Sequence, residues 1–284
     1  MRFPDFYCVG VQKAGTTWLH RQLSLHSKIW LMPNALKELQ YFNEIYVDGH
    51  KNWTGQHRAD GFKRLIELEL NNEGNCNFDV IRQLSELASM PVNDSWYSKV
   101  FEMAECNQLI GDITPEYSML PEAGIRHMLS LNERAKFILI LRHPVDRDYS
   151  HIRMIIKNKY GSQLQGFTDN ILEQHLLSAA DHKGVAERSY YKQILARFES
   201  LIPGENIHIA FYDDIVDLPI ETLNSICDFL DLDVEDSIYE KAQSASFKGP
   251  EIELPNALKE KLFERHVDEI KYINDRFGKN WRES

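Results

Sequence analysis

Short apolar runs alternate with longer amphipathic stretches along the chain. The apolar runs cover residues 6–11, 109–111, 136–141 and 207–212. The run from Lys136 to Leu141 is continuously apolar after its first residue, as expected for a strand that is buried on both faces. Because such strands are separated by helical patterns, the sequence predicts an α/β protein whose central parallel β-sheet is flanked by helices.

Helices are predicted in the stretches between these strands. They cover residues 16–25, 145–158, 187–201, 219–230 and 256–277. Pro144 stands at the start of the second helix, where a proline is tolerated, and Pro203-Gly204 ends the third. The regular alternation of strands and helices favours a single domain over residues 1–284.

A polar and weakly patterned segment, residues 43–108, interrupts this alternation. Its centre reads Asn71-Asn72-Glu73-Gly74-Asn75, a sequence typical of a loop. Segments inserted between core strands often carry substrate contacts. We therefore expect this insertion to contribute to a substrate site within the domain.

The composition is that of a folded intracellular protein. Of the 284 residues, 43% are hydrophobic and 11% aromatic, which is enough to form a sizeable core and argues against disorder. No run approaches the roughly 18 apolar residues of a membrane-spanning helix, and the N-terminus lacks the pattern of a secretory signal. The widely spaced cysteines form no CxxC pair, so we predict reduced thiols and a cytoplasmic location: Cys8, Cys76, Cys106 and Cys227.

The charge is strongly acidic overall but locally basic. The net charge is -11, and residues 205–240 hold eleven acidic side chains without a lysine or arginine. Residues 142–159, in contrast, hold three arginines and two lysines against two aspartates. This distribution argues against a nucleic-acid partner and favours a small anionic ligand bound at one place, unless the basic run is only a solvated helix face.

The turn after the first strand has the chemistry of an anion-binding loop. It reads Gly10-Val11-Gln12-Lys13-Ala14-Gly15-Thr16-Thr17-Trp18. Its glycines permit a tight turn, and the helix that follows presents free backbone N–H groups to a phosphate or sulfate. A nucleoside-triphosphate loop would place lysine directly after the second glycine, whereas Thr16 stands there. The alternative without a ligand is a glycine-rich turn that only begins a helix.

A second anion site is predicted at the end of the strand over residues 136–141. Arg142 follows this strand, and Ser150 lies eight residues later in the next helix. Ligands of open α/β sheets bind at the carboxyl ends of the strands, where an arginine fork and a hydroxyl hold a phosphate well. Arg147 is a further basic position, for which an ion pair with Asp146 or Asp148 is an equally good interpretation.

Together the two motifs resemble those of sulfotransferases that use 3′-phosphoadenosine 5′-phosphosulfate (PAPS). The chain is most similar to the branch that contains the heparan sulfate N- and 3-O-sulfotransferase domains and their bacterial relatives. The resemblance extends over nearly the whole chain, through Asp112-Ile113-Thr114-Pro115-Glu116-Tyr117, Phe211-Tyr212-Asp213-Asp214, Phe229-Leu230 and Phe277-Gly278-Lys279-Asn280-Trp281. It implies a P-loop-like fold and a sulfuryl transfer that releases adenosine 3′,5′-bisphosphate (PAP).

The resemblance also assigns roles to individual residues. It implies that the 5′-phosphosulfate is bound by Lys13, Ala14, Gly15, Thr16, Thr17 and Trp18, and the 3′-phosphate by Arg142 and Ser150. Lys248 and Gly249 stand where a late loop of the family closes over the cofactor. No metal ion is expected, because the histidines lack metal-ligand spacing and two donor-rich sites suffice for the phosphates.

Two residues are candidates for the chemistry itself. Lys13 is placed to neutralise the leaving phosphate, as charge stabilisation requires. Glu38, in Lys37-Glu38-Leu39-Gln40-Tyr41-Phe42, aligns with the glutamate that serves as the family's general base. A surface carboxylate paired with Lys37 is the alternative interpretation of Glu38, and His26 and Asp112 are the next candidates for the base.

The sequence leaves the acceptor and two other functions open. Gln40 stands where a histidine is common, and the late loop reads Lys248-Gly249-Pro250 where relatives show Lys-Gly-Arg. These departures and the acidic charge argue against a heparan-like acceptor, and a hydroxyl or amine of a carbohydrate or small metabolite is expected. A P-loop kinase with Asp112 at a magnesium ion and a non-catalytic nucleotide-binding module are the alternatives.

Overall fold

Five parallel strands form one sheet at the centre of the molecule. The computed structural model describes residues 1–72, 75–233, 235, 242 and 253–283. The strands are β1 (Phe6–Gly10), β2 (Ile29–Leu31), β3 (Leu109–Ile113), β4 (Lys136–Leu141) and β5 (Ile207–Phe211), in the order β2-β3-β1-β4-β5. Every neighbouring pair is parallel, with Phe6 of β1 opposite Gly111 on one side and Lys136 on the other. The predicted α/β fold with a central parallel sheet is confirmed.

Helices flank this sheet, joined by short 3-10 turns. They are α1 (Thr16–Leu23), α2 (Tyr41–Tyr46), α3 (Lys51–Leu70), α4 (Phe78–Ser89), α5 (Asp94–Val100), α6 (Glu122–Leu131), α7 (Pro144–Tyr160), α8 (Asp169–Ala180), α9 (Lys183–Glu187), α10 (Tyr191–Glu199), α11 (Tyr212–Asp217), α12 (Pro219–Phe229) and α13 (Asn256–Phe277). None of the helices in the described part of the chain has the length and apolar character needed to cross a membrane.

The strand order places a topological switch point beside β1. The chain runs from β1 outward to β2 on one side, and later from β4 outward to β5 on the other. Because right-handed connections in opposite directions put their helices on opposite faces, a crevice opens outside the carboxyl ends of β1 and β4. Lys13 and Arg142 belong to the loops that begin at these two strand ends.

Two predicted segments differ from the structure. The helix predicted over 187–201 is shorter in the structure, because α9 ends at Glu187 and α10 covers only Tyr191–Glu199. Ser189 lies between the two helices and forms side-chain hydrogen bonds with Arg147 and Asp148. The segment over residues 43–108, predicted as a weakly patterned insertion, carries all of α3, α4 and α5 and most of α2. Helix α3 packs mainly on α4 and on the 3-10 turn over residues 34–36, and its buried face includes Thr54, Arg58 and Gly61.

Residues 279–281 pack onto the start of α11, directly after β5. The Lys279 ammonium contacts both carboxylate oxygens of Asp214 at 2.7 Å, and the Trp281 indole N–H donates to Asp213 at 2.6 Å. The ring of Trp281 also contacts Phe211, the last residue of β5. These contacts fix the start of α11, and with it the Tyr212 side chain, beside the switch point.

Candidate active site

The loop after β1 turns sharply because two of its positions require glycine. Gly10 has a φ of +151°, and a Cβ there would lie 2.8 Å from the carbonyl oxygen of Pro115. Gly15 has a φ of +99°, and its Cβ would lie 3.3 Å from the ring of Tyr212. Lys13 adopts a φ of +73° without being glycine, a conformation that costs free energy and is concentrated at functional sites.

Helix α1 begins directly after this loop and directs its N-terminus at the crevice. Gly15 is the N-cap, and no side chain caps the helix. The first N–H groups of an α-helix have no partner within the helix, so the amides of Thr16, Thr17 and Trp18 are available to an anion. Thr16 is buried, whereas the Thr17 side chain is exposed to solvent.

Arg142 connects the two predicted anion sites. Its guanidinium donates from Nη1 to the carbonyl oxygen of Lys13 at 3.0 Å, across 129 positions of sequence. The guanidinium also lies over the ring of Tyr212, 4.2 Å from the centroid. Tyr191 in turn holds the Arg142 backbone, since its hydroxyl donates to the Arg142 carbonyl oxygen at 2.6 Å. The buried Arg142 Nε finds no hydrogen-bond partner among the described residues.

Helix α7 carries Ser150 and also contacts Lys13. Ser150 lies two turns after Arg142 and is partly buried. The Lys13 ammonium lies 3.9 Å from the sulfur of Met154, one turn after Ser150 on α7. The structure therefore brings Lys13 and Arg142 together and places α7 beside the Lys13 side chain.

The crevice is positively charged. Burial lowers the pKa of Lys13, and the charges of Arg142, Arg153 and Arg147 lower it further, with a smaller opposite contribution from Glu38. Like charges that converge in this way favour the binding of an anion, because an anion would remove their mutual repulsion.

Arg147 forms an internal ion pair. It is wholly buried, and its guanidinium contacts Asp148 Oδ1 at 2.5 Å and the Ser189 hydroxyl at 2.5 Å. The Asp148 carboxylate also forms a hydrogen bond with His266 Nε2 at 2.8 Å. Burial alone would raise the pKa of the Asp148 carboxyl, but Arg147 and His266 lower it to about 2. Of the two interpretations of Arg147, the ion pair with Asp148 is the one that the structure shows.

We expect Arg147→Met to destabilise the fold by about 3–5 kcal/mol, since it leaves the buried Asp148 carboxylate without its main partner. Urea unfolding measures this loss. The double variant Arg147→Met/Asp148→Asn should recover part of it, because the uncompensated charge is then gone. The folded fraction of Arg147→Met should bind PAP with nearly normal affinity. Weak PAP binding without loss of stability would instead place Arg147 at the nucleotide.

Glu38 lies at the same edge of the sheet, on the loop that follows β2. Its carboxylate contacts the Lys37 ammonium at 3.0 Å and accepts a long hydrogen bond from Gln40 at 3.4 Å. The side chain is 24% exposed. The ion pair of the alternative interpretation is thus present. The charge of Glu38 also raises the pKa of Lys13, against the larger lowering by burial and by the arginines.

The other two candidates for the base occupy unsuitable positions. His26 precedes β2, at the amino edge of the sheet, and both ring nitrogens make hydrogen bonds there, to the Asp233 carbonyl and the Lys28 amide. The Asp112 side chain lies inside the core, where Tyr97, Tyr117 and Thr114 donate hydrogen bonds to its carboxylate at 2.7–2.9 Å. Burial raises the pKa of Asp112 to about 6 despite these donors. This enclosed carboxylate is also a poor ligand for the magnesium ion of a kinase.

Two side chains that the motifs did not single out also belong to the crevice. Tyr212 supplies the ring under Arg142, and Arg153 acts on the pKa of both Lys13 and Tyr212. Arg153 is one turn after Ser150 on α7, a helical spacing that would have indicated a shared face. Lys248 and Gly249 lie outside the described residues. Within the described ranges no group of three or more His, Cys, Asp or Glu side chains could hold a metal ion.

Comparison with known proteins identifies the family. A model of the sulfotransferase family matches residues 4–236. The chain belongs to the sulfotransferase family. A relative in Dictyostelium discoideum, the membrane-associated sulfotransferase kil1, is 29% identical over 157 residues, which are 54% of this chain and 23% of the relative. The chain thus matches about a quarter of the length of that curated relative.

Two solved sulfotransferases share the fold over nearly their whole length. The sulfotransferase from Alicyclobacillus acidocaldarius superposes with a TM-score of 0.61 at 16% identity, covering 99% of this chain and 98% of the other. The sulfotransferase domain from the curacin biosynthetic pathway gives a TM-score of 0.59 at 19% identity, covering 99% and 100%. At these identities the likeness concerns the fold. The predicted family is confirmed, and the kinase alternative is not favoured.

Proposed function

We propose that the protein transfers a sulfuryl group from PAPS to a hydroxyl or amine of an acceptor. The observation that carries this proposal is the hydrogen bond from Arg142 to the Lys13 carbonyl. It brings together two predicted anion-binding motifs that are far apart in sequence, as a nucleotide with two anionic groups would require. Membership of the sulfotransferase family supports the same activity.

The residues of the crevice fit PAPS. Two buried donors, Arg142 Nε and Trp18 Nε1, have no hydrogen-bond partner among the described residues. Buried donors without a partner are costly, and anionic or polar groups of a nucleotide would satisfy them. The amides of residues 14–18 and the Lys13 ammonium would hold the 5′-phosphosulfate, while Arg142 and Ser150 would hold the 3′-phosphate. We retain Lys248 and Gly249 as further contacts to the nucleotide.

PAPS, when bound, supplies an activated sulfuryl group. Lys13 stabilises the negative charge that develops on the bridging oxygen as the bond from sulfur to that oxygen breaks. The Glu38 carboxylate accepts the proton of the acceptor hydroxyl or amine while the new bond to sulfur forms. The products are the sulfated acceptor and PAP, and the proton passes from Glu38 to solvent. Two phosphate sites and a lysine carry out these steps without a metal ion.

The candidate site residues lie over two halves of the carboxyl edge of the sheet. Lys13 and Arg142 follow β1 and β4, whereas Glu38 follows β2. We assign the half over β1 and β4 to the nucleotide and the half over β2 and β3 to the acceptor. A carbohydrate or a small metabolite fits the acceptor half. The unpaired state of all four cysteines is consistent with a cytoplasmic enzyme.

Calorimetric titration with PAP in the presence of EDTA tests the nucleotide assignment. We expect binding without a divalent cation, whereas a kinase site would prefer ATP with magnesium. An acceptor screen with PAPS, followed by mass spectrometry for the gain of one SO3 group, then tests turnover. Binding of PAP with no turnover of any acceptor would favour the non-catalytic module.

We expect Arg142→Ala to raise the Kd of PAP about 10- to 100-fold, because a charge-assisted contact contributes about 1.5–3 kcal/mol. Ser150→Ala should have a smaller effect of the same kind. Neither change should much affect the Kd of adenosine 5′-monophosphate, which lacks the 3′-phosphate. Arg134→Ala, at an exposed arginine before β4, is the matched control. An equal loss of affinity for both nucleotides would show that Arg142 only supports the Lys13 loop.

A further inference from the structure

Three aromatic rings follow one another along the start of α3. His50 is the N-cap, and Trp53 and His57 lie in the first two turns. Their ring centroids are separated by 5.3 Å and 5.7 Å. The spacing of three and then four residues places them on one face of the helix. We refer to His50, Trp53 and His57 as the α3 rim.

Both ends of the α3 rim contact the loops of the acceptor half. His57 Nε2 lies 2.9 Å from the carbonyl oxygen of Glu38. His50 Nε2 lies 3.3 Å from the carboxylate of Glu116, which follows β3. The rim therefore spans from the loop after β2 to the loop after β3, beside the residue that we assign as the general base.

The histidine at one end lies beside a buried carboxylate. Glu116 is buried, and one of its carboxylate oxygens accepts from Arg188 at 2.6 Å. Burial alone would raise the pKa of Glu116, but His50 and Arg188 lower it to about 2, so the carboxylate stays charged. The other Glu116 oxygen lies 3.3 Å from His50 Nε2, and the His50 ring in turn contacts the indole of Trp53.

The middle of the α3 rim is open to solvent. Trp53 is 39% exposed, more than the chain's other tryptophans: Trp18, Trp30, Trp96 and Trp281. The nearby arginines Arg58 and Arg188 are paired with Glu44 and Glu116. The surface thus offers a flat apolar ring face between two imidazoles, with the exposed Lys51 at the start of the helix, and another ring can stack on such an indole face.

We propose that the α3 rim binds a ring-bearing acceptor, whose flat face stacks on Trp53 while its hydroxyl or amine reaches Glu38. The inference rests on the proposed function and narrows it to acceptors with an aromatic or pyranose ring. Trp53 is the binding residue, and His50 and His57 are positioning residues that hold its ring. Stacking on the indole fixes the acceptor beside the base, which lowers KM more than it changes kcat.

Three probe alcohols distinguish an aromatic acceptor from a sugar and from an acceptor without a ring. We use 2-naphthol as an aromatic alcohol, methyl β-D-glucopyranoside as a sugar and 1-hexanol as an alcohol without a ring. Each is titrated calorimetrically into the protein saturated with PAP, so that binding is measured without turnover, and each is then assayed with PAPS. We expect one of the two ring probes to bind more tightly than 1-hexanol.

Trp53→Ala should weaken binding of that ring probe about 10-fold and raise its KM similarly, with kcat and the Kd of PAP nearly unchanged. Trp53→Phe should recover most of the affinity, because it restores a ring. Phe78→Ala is the matched control, since Phe78 is 75% exposed on α4 and lies away from this edge. His50→Gln should weaken ring binding less than Trp53→Ala, and its effect should largely disappear in the Trp53→Ala background.

The outcomes distinguish this inference from the proposed function. Failure of the wild-type protein to bind PAP would overturn the proposed function itself. Normal PAP binding together with equal affinity for all three alcohols would overturn the ring acceptor and leave sulfuryl transfer standing. A ring preference that survives Trp53→Ala unchanged would place the acceptor away from the α3 rim.

Discussion

Lys13→Ala is expected to reduce kcat by about 10²–10³-fold or more while the fold survives. Loss of one charge-stabilising donor at a transition state has an effect of this size, and Lys13 is the cation nearest the predicted leaving group. Its side chain emerges from a loop rather than from the core. Because burial and the charges of Arg142, Arg153 and Arg147 already lower the pKa of Lys13, removing it relieves repulsion. The melting temperature without ligand should therefore stay the same or rise slightly.

Two further variants make this result specific. Lys13→Met keeps the stem that lies along Met154 and should be as inactive as Lys13→Ala. Lys63→Ala, at a lysine whose side chain is 74% exposed on α3, should be fully active. Single-turnover measurements with PAPS separate chemistry from product release. A near-normal kcat for Lys13→Ala would remove the lysine from the leaving-group role.

Glu38→Gln is expected to lower kcat by about 10²–10⁴-fold, the range typical for loss of a general base. The amide keeps the size of the side chain and can still accept hydrogen bonds, so the loop after β2 should keep its structure. The Kd of PAP should remain close to that of the wild type, because the nucleotide binds over β1 and β4. Measurement of both quantities on one preparation tests the assignment.

The acidity of the acceptor distinguishes a base from a structural carboxylate. A phenol with a strongly acidic hydroxyl needs less help to lose its proton than an ordinary alcohol, so Glu38→Gln should harm its sulfation much less. Lys37→Met breaks the same ion pair from the other side and is the matched control. Equal defects in Lys37→Met and Glu38→Gln, or a parallel loss of PAP affinity, would mean that Glu38 only orders its loop.

The sequence alone was sufficient for most of the sheet, although no predicted apolar run covers the three-residue strand β2, and its assignment of the nucleotide half of the site stays a prediction. The strands over 136–141 and 207–211 are short, apolar runs, and α13 covers residues 256–277, over which a helix was predicted. The glycine loop and the Arg142 motif carry their chemistry in consecutive residues. Motifs of this kind can be recognised from the sequence, because residues that are consecutive in the chain stay close together in the folded protein.

Tertiary structure was needed wherever partners are distant in the chain. The sequence offered Asp146 and Asp148 as acidic partners of Arg147. The structure shows Asp148 as the partner, in contact with Ser189 and His266, which are distant in the chain. The break between α9 and α10 also depends on distant residues, because Ser189 in this break forms hydrogen bonds with Arg147 and Asp148 of α7. The segment over 43–108 seemed unpatterned because the buried face of α3 is partly polar or small, with Thr54, Arg58 and Gly61 beside Phe62 and Leu65.

The sequence by itself thus determined the family and most of the parallel sheet, since these depend on local patterns of polarity, glycine and charge. The residues that it assigns to the nucleotide stay a prediction. Only the tertiary structure decided that Arg142 donates to the Lys13 loop, that His26 lies at the opposite edge and that the α3 rim borders Glu38. The physical reason is that strand order, which no local pattern encodes, determines which loops meet at the carboxyl edge of the sheet.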